Sequence, residues 1–462
     1  MKADFVTILE CPARDCNGTE LVLNASQVDT ILYKDGPTEE VREGSLDCAA
    51  CGRSYPISEY VPSFEQLFPP DLQSEAEYWG KWYGFMWQRG YLGFFDLRAP
   101  MAPLITEGIE VLDPATLERK DLGGSHSMIA DHPGFAEAAW LLDIGCGTGW
   151  SSLYFARRGH KVAAFDPSVA NMRLAKRYAI SQGEYVEYIG AGMGFLQFKL
   201  AVFDAAVALH SIHHVPDLPA EMLIMRDWLK DGAHMGVDEH VRNDEVLMSL
   251  GAAMRRWAQE EVYPPLRTLP PGVLEGLPRA EPSAMEGAGS EDVIGAFLDN
   301  FEVETYNSRY ISLDSFSFNF YLSHHPDTKA YYYSSNVIGR IYSFMKESYP
   351  DGAEYVILIG KKSKEGEAPN TDNELAIRAR NLSNGYTTLI QRLEQQLMTA
   401  QDNLEATRRT MEEQHQALIA KNKHIGELEN WAHRLERDLR AAQNSPLERA
   451  TKRVNKLLRR RR

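Results

Sequence analysis

Trp140-Leu141-Leu142-Asp143-Ile144-Gly145-Cys146-Gly147-Thr148-Gly149-Trp150 is the stretch whose reading decides the fold. Its apolar run meets an acid, passes at once into alternating glycines, and continues as Ser151-Ser152-Leu153-Tyr154-Phe155-Ala156. That order reads as a buried strand, a tight turn and the start of a helix. The glycines admit positive φ and let backbone approach a ligand, while the helix start offers free N–H groups. A loop of this kind binds nucleotides.

The spacing discriminates among nucleotides. A dinucleotide fingerprint runs G-x-G-x-x-G, with pyrophosphate on the helix N-terminus. Here the third glycine, Gly149, comes one residue early. Asp143 stands just before the loop, where a carboxylate repels a pyrophosphate and attracts a ligand bearing an ammonium and a sulfonium. The next apolar run, Val162-Ala163-Ala164-Phe165-Asp166, ends in a second acid placed to accept hydrogen bonds from both hydroxyls of a ribose. Acid, loop and second acid together resemble class I S-adenosylmethionine (SAM) methyltransferases, whose first motif has the form D-x-G-x-G-x-G. The resemblance implies an α/β, Rossmann-like domain with a seven-stranded sheet. It also implies a SAM site built from Asp143, Gly145, Cys146, Gly147, Gly149, Asp166 and Pro167, with Leu209 at the exit of strand four, and with Ala191 and Met193 either at the adenine ring or in a mere turn.

Around this core the 462-residue chain, 44% hydrophobic, is long enough for two or three units. No apolar run reaches membrane-spanning length and the first residues do not open a signal peptide, so a cytoplasmic protein with reduced cysteines is expected. A net charge of −16 speaks against nonspecific nucleic-acid binding.

The expected methyltransferase domain covers residues 136–363. Strand four, Phe203 to Ala208, leaves through Leu209-His210-Ser211-Ile212-His213-His214, on the side where ligands sit beyond parallel strands. Methyl transfer is an in-line displacement that needs alignment and, for a hydroxyl acceptor, removal of a proton. Histidine suits that step, so His210, His213 and His214 are the candidate bases, and the same residues serve equally to shape a pocket. Strand five ends in Asp238-Glu239-His240, a second acid/base set in which His240 is the candidate. Adjacent strand residues point to opposite faces, so this set also reads as a solvated strand end. Pro264-Pro265, Pro270-Pro271, Pro278 and Pro282 mark a surface loop, and Phe316 to Tyr333 reads as a specificity element or as packing.

Two further segments precede this domain. Residues 1–66 hold Cys11 and Cys16, then Cys48 and Cys51, two pairs suited to one tetrahedral structural zinc. Cys51-Gly52-Arg53-Ser54-Tyr55-Pro56-Ile57 resembles the zinc-knuckle (zinc-ribbon) module of bacterial methyltransferases and of small partner proteins of tRNA and rRNA methyltransferases. It departs from that pattern in having four residues inside the first pair, and four buried free thiols are the alternative. Residues 67–135 are a helical connector rich in aromatics, including Trp79, Trp82, Tyr83 and Trp87, which reads as core packing or as a lid over the ligand edge.

Beyond a linker at 364–384, a heptad runs through 385–443. One seam carries Ile390, Leu397, Leu404, Met411, Leu418, Ile425, Ala432 and Leu439, and the other carries Leu393, Ala400, Thr407, Gln414, Lys421, Leu428, Leu435 and Ala442. Alternate steps of three and four predict a left-handed coiled coil about 85 Å long, through which the chain pairs with itself as a dimer or trimer. Ser445-Pro446-Leu447-Glu448 then caps a basic amphipathic helix over 445–462, in which eight Lys or Arg stand against one acid between Leu447 and Arg462. Such a helix meets an anionic membrane surface or an acidic partner. Methyltransferase, coiled coil and basic end are similar in plan to bacterial enzymes that cap or modify surface polysaccharides at the inner face of the cytoplasmic membrane. That likeness points to O-methylation of a sugar on a glycan or glycolipid precursor. The alternatives are RNA methylation, prompted by the zinc knuckle and opposed by the acidic body, and a scaffold that binds SAM without turnover.

Overall fold

The computed structural model describes residues 1–13, 15–16, 18–88, 95–96, 123–136, 138–241, 285, 289–290, 292–309, 355–363, 369–370, 372–443, 449–450, 452–453 and 455–456. Met1–Tyr386 forms one compact unit and Thr387–Arg462 a second.

The N-terminal segment contains a short strand, β1 (Leu9–Glu10), and a hairpin of β2 (Leu21–Tyr33) and β3 (Gly36–Cys48). With β4 (Ser54–Ser58) and β5 (Val61–Pro62) the hairpin makes an antiparallel sheet of order β2-β3-β4-β5. Helices α1 (Pro70–Gln88), α2 (Gly123–Ala130) and α3 (Pro133–Ala136) follow.

The glycine stretch then folds as read. β6 (Trp140–Ile144) enters the loop and α4 (Trp150–Ala156) starts behind Gly149. After it come β7 (Lys161–Asp166), α5 (Val169–Ser181), β8 (Glu187–Gly190), β9 (Gln197–Phe198), β10 (Phe203–Leu209), α6 (Leu218–Trp228) and β11 (Leu229–His240). α7 (Val293–Leu298), β12 (Phe301–Arg309) and β13 (Tyr355–Lys362) complete the sheet, whose order is β12-β13-β11-β10-β6-β7-β8. Its seven strands are parallel from β11 to β8, and β13 runs antiparallel to both of its neighbours. Leu141, Leu142, Ala163, Ala164, Ala206 and Val207 are fully buried in consecutive pairs, because helices cover both faces of the parallel part. The expected mostly parallel α/β sheet is therefore present, and Ile144, Asp166, Gly190, Leu209 and His240 end their strands along one edge.

The segment 1–66, expected as a separate module, is instead built into this unit. β1 pairs with β9, Ser63 bridges Gly190 in parallel, and the Phe64 N–H donates to the Gly190 carbonyl at 2.8 Å. Glu40 on β3 meets Lys176 on α5 at 2.6 Å with both side chains buried. Leu46, Tyr55 and Phe64 share one core with Leu142, Phe165 and Phe198.

The linker is also shorter than expected. Helix α8 (Glu374–Gln443) begins inside 364–384, because the Asn373 side chain accepts the Ala376 N–H at 2.7 Å as an N-cap and donates to Val303 O at 3.0 Å. Ala376 and Ala379 are buried by that docking. The helix runs 70 residues, about 105 Å at 1.5 Å per residue. Of the heptad seams, Met411, Leu418, Ile425, Leu428, Leu435 and Leu439 are exposed on the single chain.

The proline-rich stretch from Pro264 to Pro282, the aromatic segment from Phe316 to Tyr333 and most of the basic tail lie outside the described residues. Within the tail, residues 449–450, 452–453 and 455–456 are helical. Among the described residues no helix is long and apolar enough to cross a membrane.

Candidate functional site

Gly145, Gly147 and Gly149 take φ of +63°, +59° and +76°, where side chains are disfavoured. Two of them are glycines for a second reason. A Cβ on Gly145 would lie 2.4 Å from Ser211 Cβ, and one on Gly149 would lie 2.5 Å from the Tyr188 hydroxyl. Gly147 differs, since no described atom lies within 4 Å of where its side chain would begin, and its backbone is the part of the loop open to a ligand.

Asp143 is buried beneath the loop. Its Oδ2 accepts the hydroxyls of Ser151 and Ser152, each at 2.6 Å, and burial lifts the carboxyl to about 6 against those bonds. The acid thus braces the first turn of α4 against the end of β6. Cys146 is buried too, with Sγ 3.7 Å from Met172 Sδ.

Asp166 closes the other side. Its Oδ2 accepts the Gly147 N–H at 3.0 Å and its Oδ1 the Ser168 N–H at 2.9 Å. Burial, reinforced by Glu75 and Asp143, outweighs those amides and lifts the carboxyl to about 7. The half-buried Pro167 follows, and the Ala191 N–H donates to Asp166 O at 3.0 Å. Ala191 is fully buried, Leu209 nearly so, and Met193 packs half-buried on the core. Between them Gly192 makes room for α1, because a Cβ there would lie 2.6 Å from Leu72. Gly80 of the same helix crosses Ser168 in the same way, its Cβ position 2.9 Å from Oγ. The aromatic helix α1 therefore packs across the ligand edge.

The exit of β10 carries three histidines, each facing a carboxylate. His210 adopts φ of +57°; its N–H donates to Asp238 O at 2.8 Å and its Nε2 lies 3.5 Å from Asp238 Oδ2. His213 Nδ1 lies 2.7 Å from Glu239 Oε2, while Glu239 Oε1 accepts the N–H groups of Ser211 and Ile212 at 2.8 and 2.9 Å. His214 Nδ1 lies 3.1 Å from Glu75 Oε1 of α1, an oxygen that also accepts Trp79 Nε1–H at 2.6 Å. The side chains of His210 and His214 are 42% and 18% exposed, against 6% for His213, whose partner Glu239 also accepts the Ser211 and Ile212 amides. His240 stands behind them, its ring 4.9 Å from Tyr355 and 5.8 Å from His213.

Asp238 and Glu239 are fully buried, which overturns their reading as a solvated strand end. β13 pairs along the outer side of β11, with Asp238 opposite Ile357 and Glu239 opposite Val356, so β11 is an interior strand. Glu75 and Ser211 are site residues that the sequence does not single out. The signal for Glu75 is its place one helical turn before Trp79, whose indole it accepts. Ser211 has none, since its part is to bond Ile144 O at 2.7 Å and fill the space left by Gly145.

The four cysteines of the N-terminal segment converge despite the longer first pair. Their sulfurs lie within 4.8 Å of one another, with Cys16 to Cys48 at 3.2 Å and Cys11 to Cys51 at 3.7 Å. These separations are well beyond a disulfide bond and near the roughly 3.8 Å between thiolates on a tetrahedral zinc. Tyr55 places its hydroxyl 3.1 Å from Cys11 Sγ, and the Arg53 backbone N–H helps bring the Cys51 thiol down to about 6. The donor set and its spacing fit zinc.

Residues 127–267, which include the glycine loop, Asp166 and the histidine-bearing exit, match a family described as a methyltransferase domain. The ubiquinone biosynthesis O-methyltransferase of Methylobacterium nodulans is 38% identical over 84 residues, which are 18% of this chain and 34% of that protein. The enzyme of the same name from Caulobacter vibrioides is 35% identical over 156 residues, 33% of this chain and 62% of its own. That from Alkalilimnicola ehrlichii is 27% identical over 206 residues, 44% of this chain and 79% of its own. The chain thus spans about a third of the first of these relatives and three fifths of the second. Glycine loop, paired acids and sheet order agree with that match: residues 127–267 carry the features of a methyltransferase domain on a mostly parallel α/β sheet.

Proposed function

We propose that this protein is a SAM-dependent O-methyltransferase acting on a hydroxyl of a glycan or glycolipid precursor. The observation that carries the hydroxyl reading is the set of carboxylate-backed histidines at the exit of β10. SAM supplies a methyl group already activated by its sulfonium, so the protein's own task is alignment and proton removal. Gly147 offers its open backbone, Asp166 its carboxylate, and Ala191 and Met193 a floor for the adenine. His214, oriented by Glu75, takes the hydroxyl proton.

The sugar acceptor is supported by the layout of long helix and basic end. In this reading the exposed seam of α8 pairs with further copies of the chain, and residues 447–462 meet an anionic membrane surface. The cysteine cluster holds a structural zinc, four thiolates leaving no open position for chemistry. A second reading, a phenolic acceptor, is favoured by Trp79 stacked on Tyr83 at 5.5 Å on α1 and by the names of the relatives.

Methyl-labelled SAM, incubated with the full chain and either lipid-linked oligosaccharides or substituted phenols, tests both. Label in the glycan supports the proposal, and label confined to the phenol replaces it with the second reading. SAM binding by calorimetry with no transfer to any hydroxyl would leave a scaffold.

A further inference from the structure

A second set of ligand-type side chains lies at the other end of the sheet. His234 is level with Ala205 and Leu141, near the starts of β10 and β6, whereas the glycine loop leaves β6 after Ile144. His132 joins α2 to α3, and Glu304 stands at the bulge where the β12 ladder shifts between Val303 and Thr305. His234 Nε2 lies 3.0 Å, and His132 Nε2 3.5 Å, from the same Glu304 Oε2. The three ligand atoms lie within 4.8 Å of one another. Ligands about 2.0–2.1 Å from a tetrahedral zinc stand about 3.4 Å apart, which is the scale of this triangle.

We propose that His132, His234 and Glu304 form a binding site for a divalent transition-metal ion of the zinc type, separate from the cysteine cluster. Two imidazoles and one carboxylate favour such an ion over magnesium or calcium, which take oxygen ligands. The three side chains are 15%, 13% and 37% exposed, so an ion has a path in and water can complete the coordination. Packing fixes the set: a Cβ on Gly134 would lie 2.3 Å from the His234 ring, and Phe135 stands 6.5 Å from each imidazole.

Binding costs two local hydrogen bonds, the first being that between His234 Nε2 and Glu304 Oε2 at 3.0 Å. His132 Nδ1 accepts the Gly134 N–H at 3.2 Å, and coordination through Nε2 moves the ring proton to Nδ1 and breaks that cap. Loss of the cap alone weakens the site by about fivefold. A bound ion ties the connector ahead of β6 to β11 and β12, segments far apart in sequence.

Zinc content of the full chain, saturated with zinc and freed of excess by gel filtration, tests the site. His132→Asn removes a ligand yet keeps a side chain able to cap Gly134, and Glu304→Gln removes the charge at nearly constant shape. Circular dichroism checks the fold of both variants, and the cysteine cluster contributes equally to all three proteins. Wild type is expected to hold about one zinc per chain more than either variant. Equal zinc content in all three overturns the site.

Discussion

Glu75 Oε1 on α1 lies 3.1 Å from His214 Nδ1, so a helix that precedes the motif strand orients a side chain beyond β10. Glu75→Ala should therefore lower kcat for methyl transfer to a hydroxyl acceptor by about 10- to 100-fold while changing SAM affinity by less than about threefold. Kinetics and calorimetry on one variant separate the two effects. An unchanged kcat would assign the proton to another group, His210 first.

Gly145 and Gly147 share positive φ but not surroundings, and alanine should tell them apart. At Gly145 a methyl group meets Ser211 at 2.4 Å, and a destabilisation of about 2–4 kcal/mol is expected from strain and overpacking together. At Gly147 only the backbone strain applies, about 1 kcal/mol, and the main loss falls on SAM affinity. Urea midpoints and calorimetry measure the two in parallel.

Asp166 makes stability depend on pH in a direction opposite to most carboxylates. With a folded carboxyl raised to about 7, the folded protein keeps a proton that the unfolded chain has released between about pH 4 and 7. The contribution is thus complete below that window and lost as pH rises through it. Asp166→Asn should flatten the fall in stability between pH 5 and 8 by on the order of 2 kcal/mol, measured by urea unfolding without SAM. An identical slope in the variant would show that the carboxyl titrates in the ordinary range.

Glu40 carries the reverse sign. Burial alone would raise it, but Lys176 and the Met1 ammonium prevail and hold it at about 2. Its stabilisation is present above the ordinary glutamate range and is lost as pH falls toward 2. Glu40→Gln leaves the Lys176 ammonium buried without its carboxylate and should cost about 3–5 kcal/mol at neutral pH. The double variant Glu40→Gln, Lys176→Met should recover part of that loss, which a thermal melt would record.

The exposed seam of α8 gives a test of assembly. A chain ending at residue 386 should sediment as a monomer, and the full chain as a dimer or trimer. A monomeric full chain would remove the pairing role of Met411, Leu418, Ile425, Leu428, Leu435 and Leu439.

Local spacing carried much of this site. Strand, glycines and helix start are contiguous from Trp140 to Ala156, and each is dictated by residues a few positions away, so β6, the loop and α4 are readable in one dimension. The linker failed where one capping asparagine, Asn373, starts a helix that a polar composition conceals. Asp238 and Glu239 failed for a tertiary reason, since their burial depends on β13, whose first residue is Tyr355. Glu75 was hidden in the same way, because its partner His214 lies across the sheet edge from α1.

The bridge from Ser63 and Phe64 to Gly190 bears on how short a working chain can be. β8 is the last strand of the large sheet, and the Phe64 amide occupies the carbonyl at its end. A chain cut back to begin at residue 67 would keep every residue of the glycine loop and the histidine-bearing exit. It would also bare the Gly190 end of β8, an edge open to pairing between copies. Such a fragment would also lose Leu46, Tyr55 and Phe64 from the shared core and the Glu40 partner of Lys176, so it is expected to aggregate, and the smallest soluble form of the domain includes the cysteine-bearing segment.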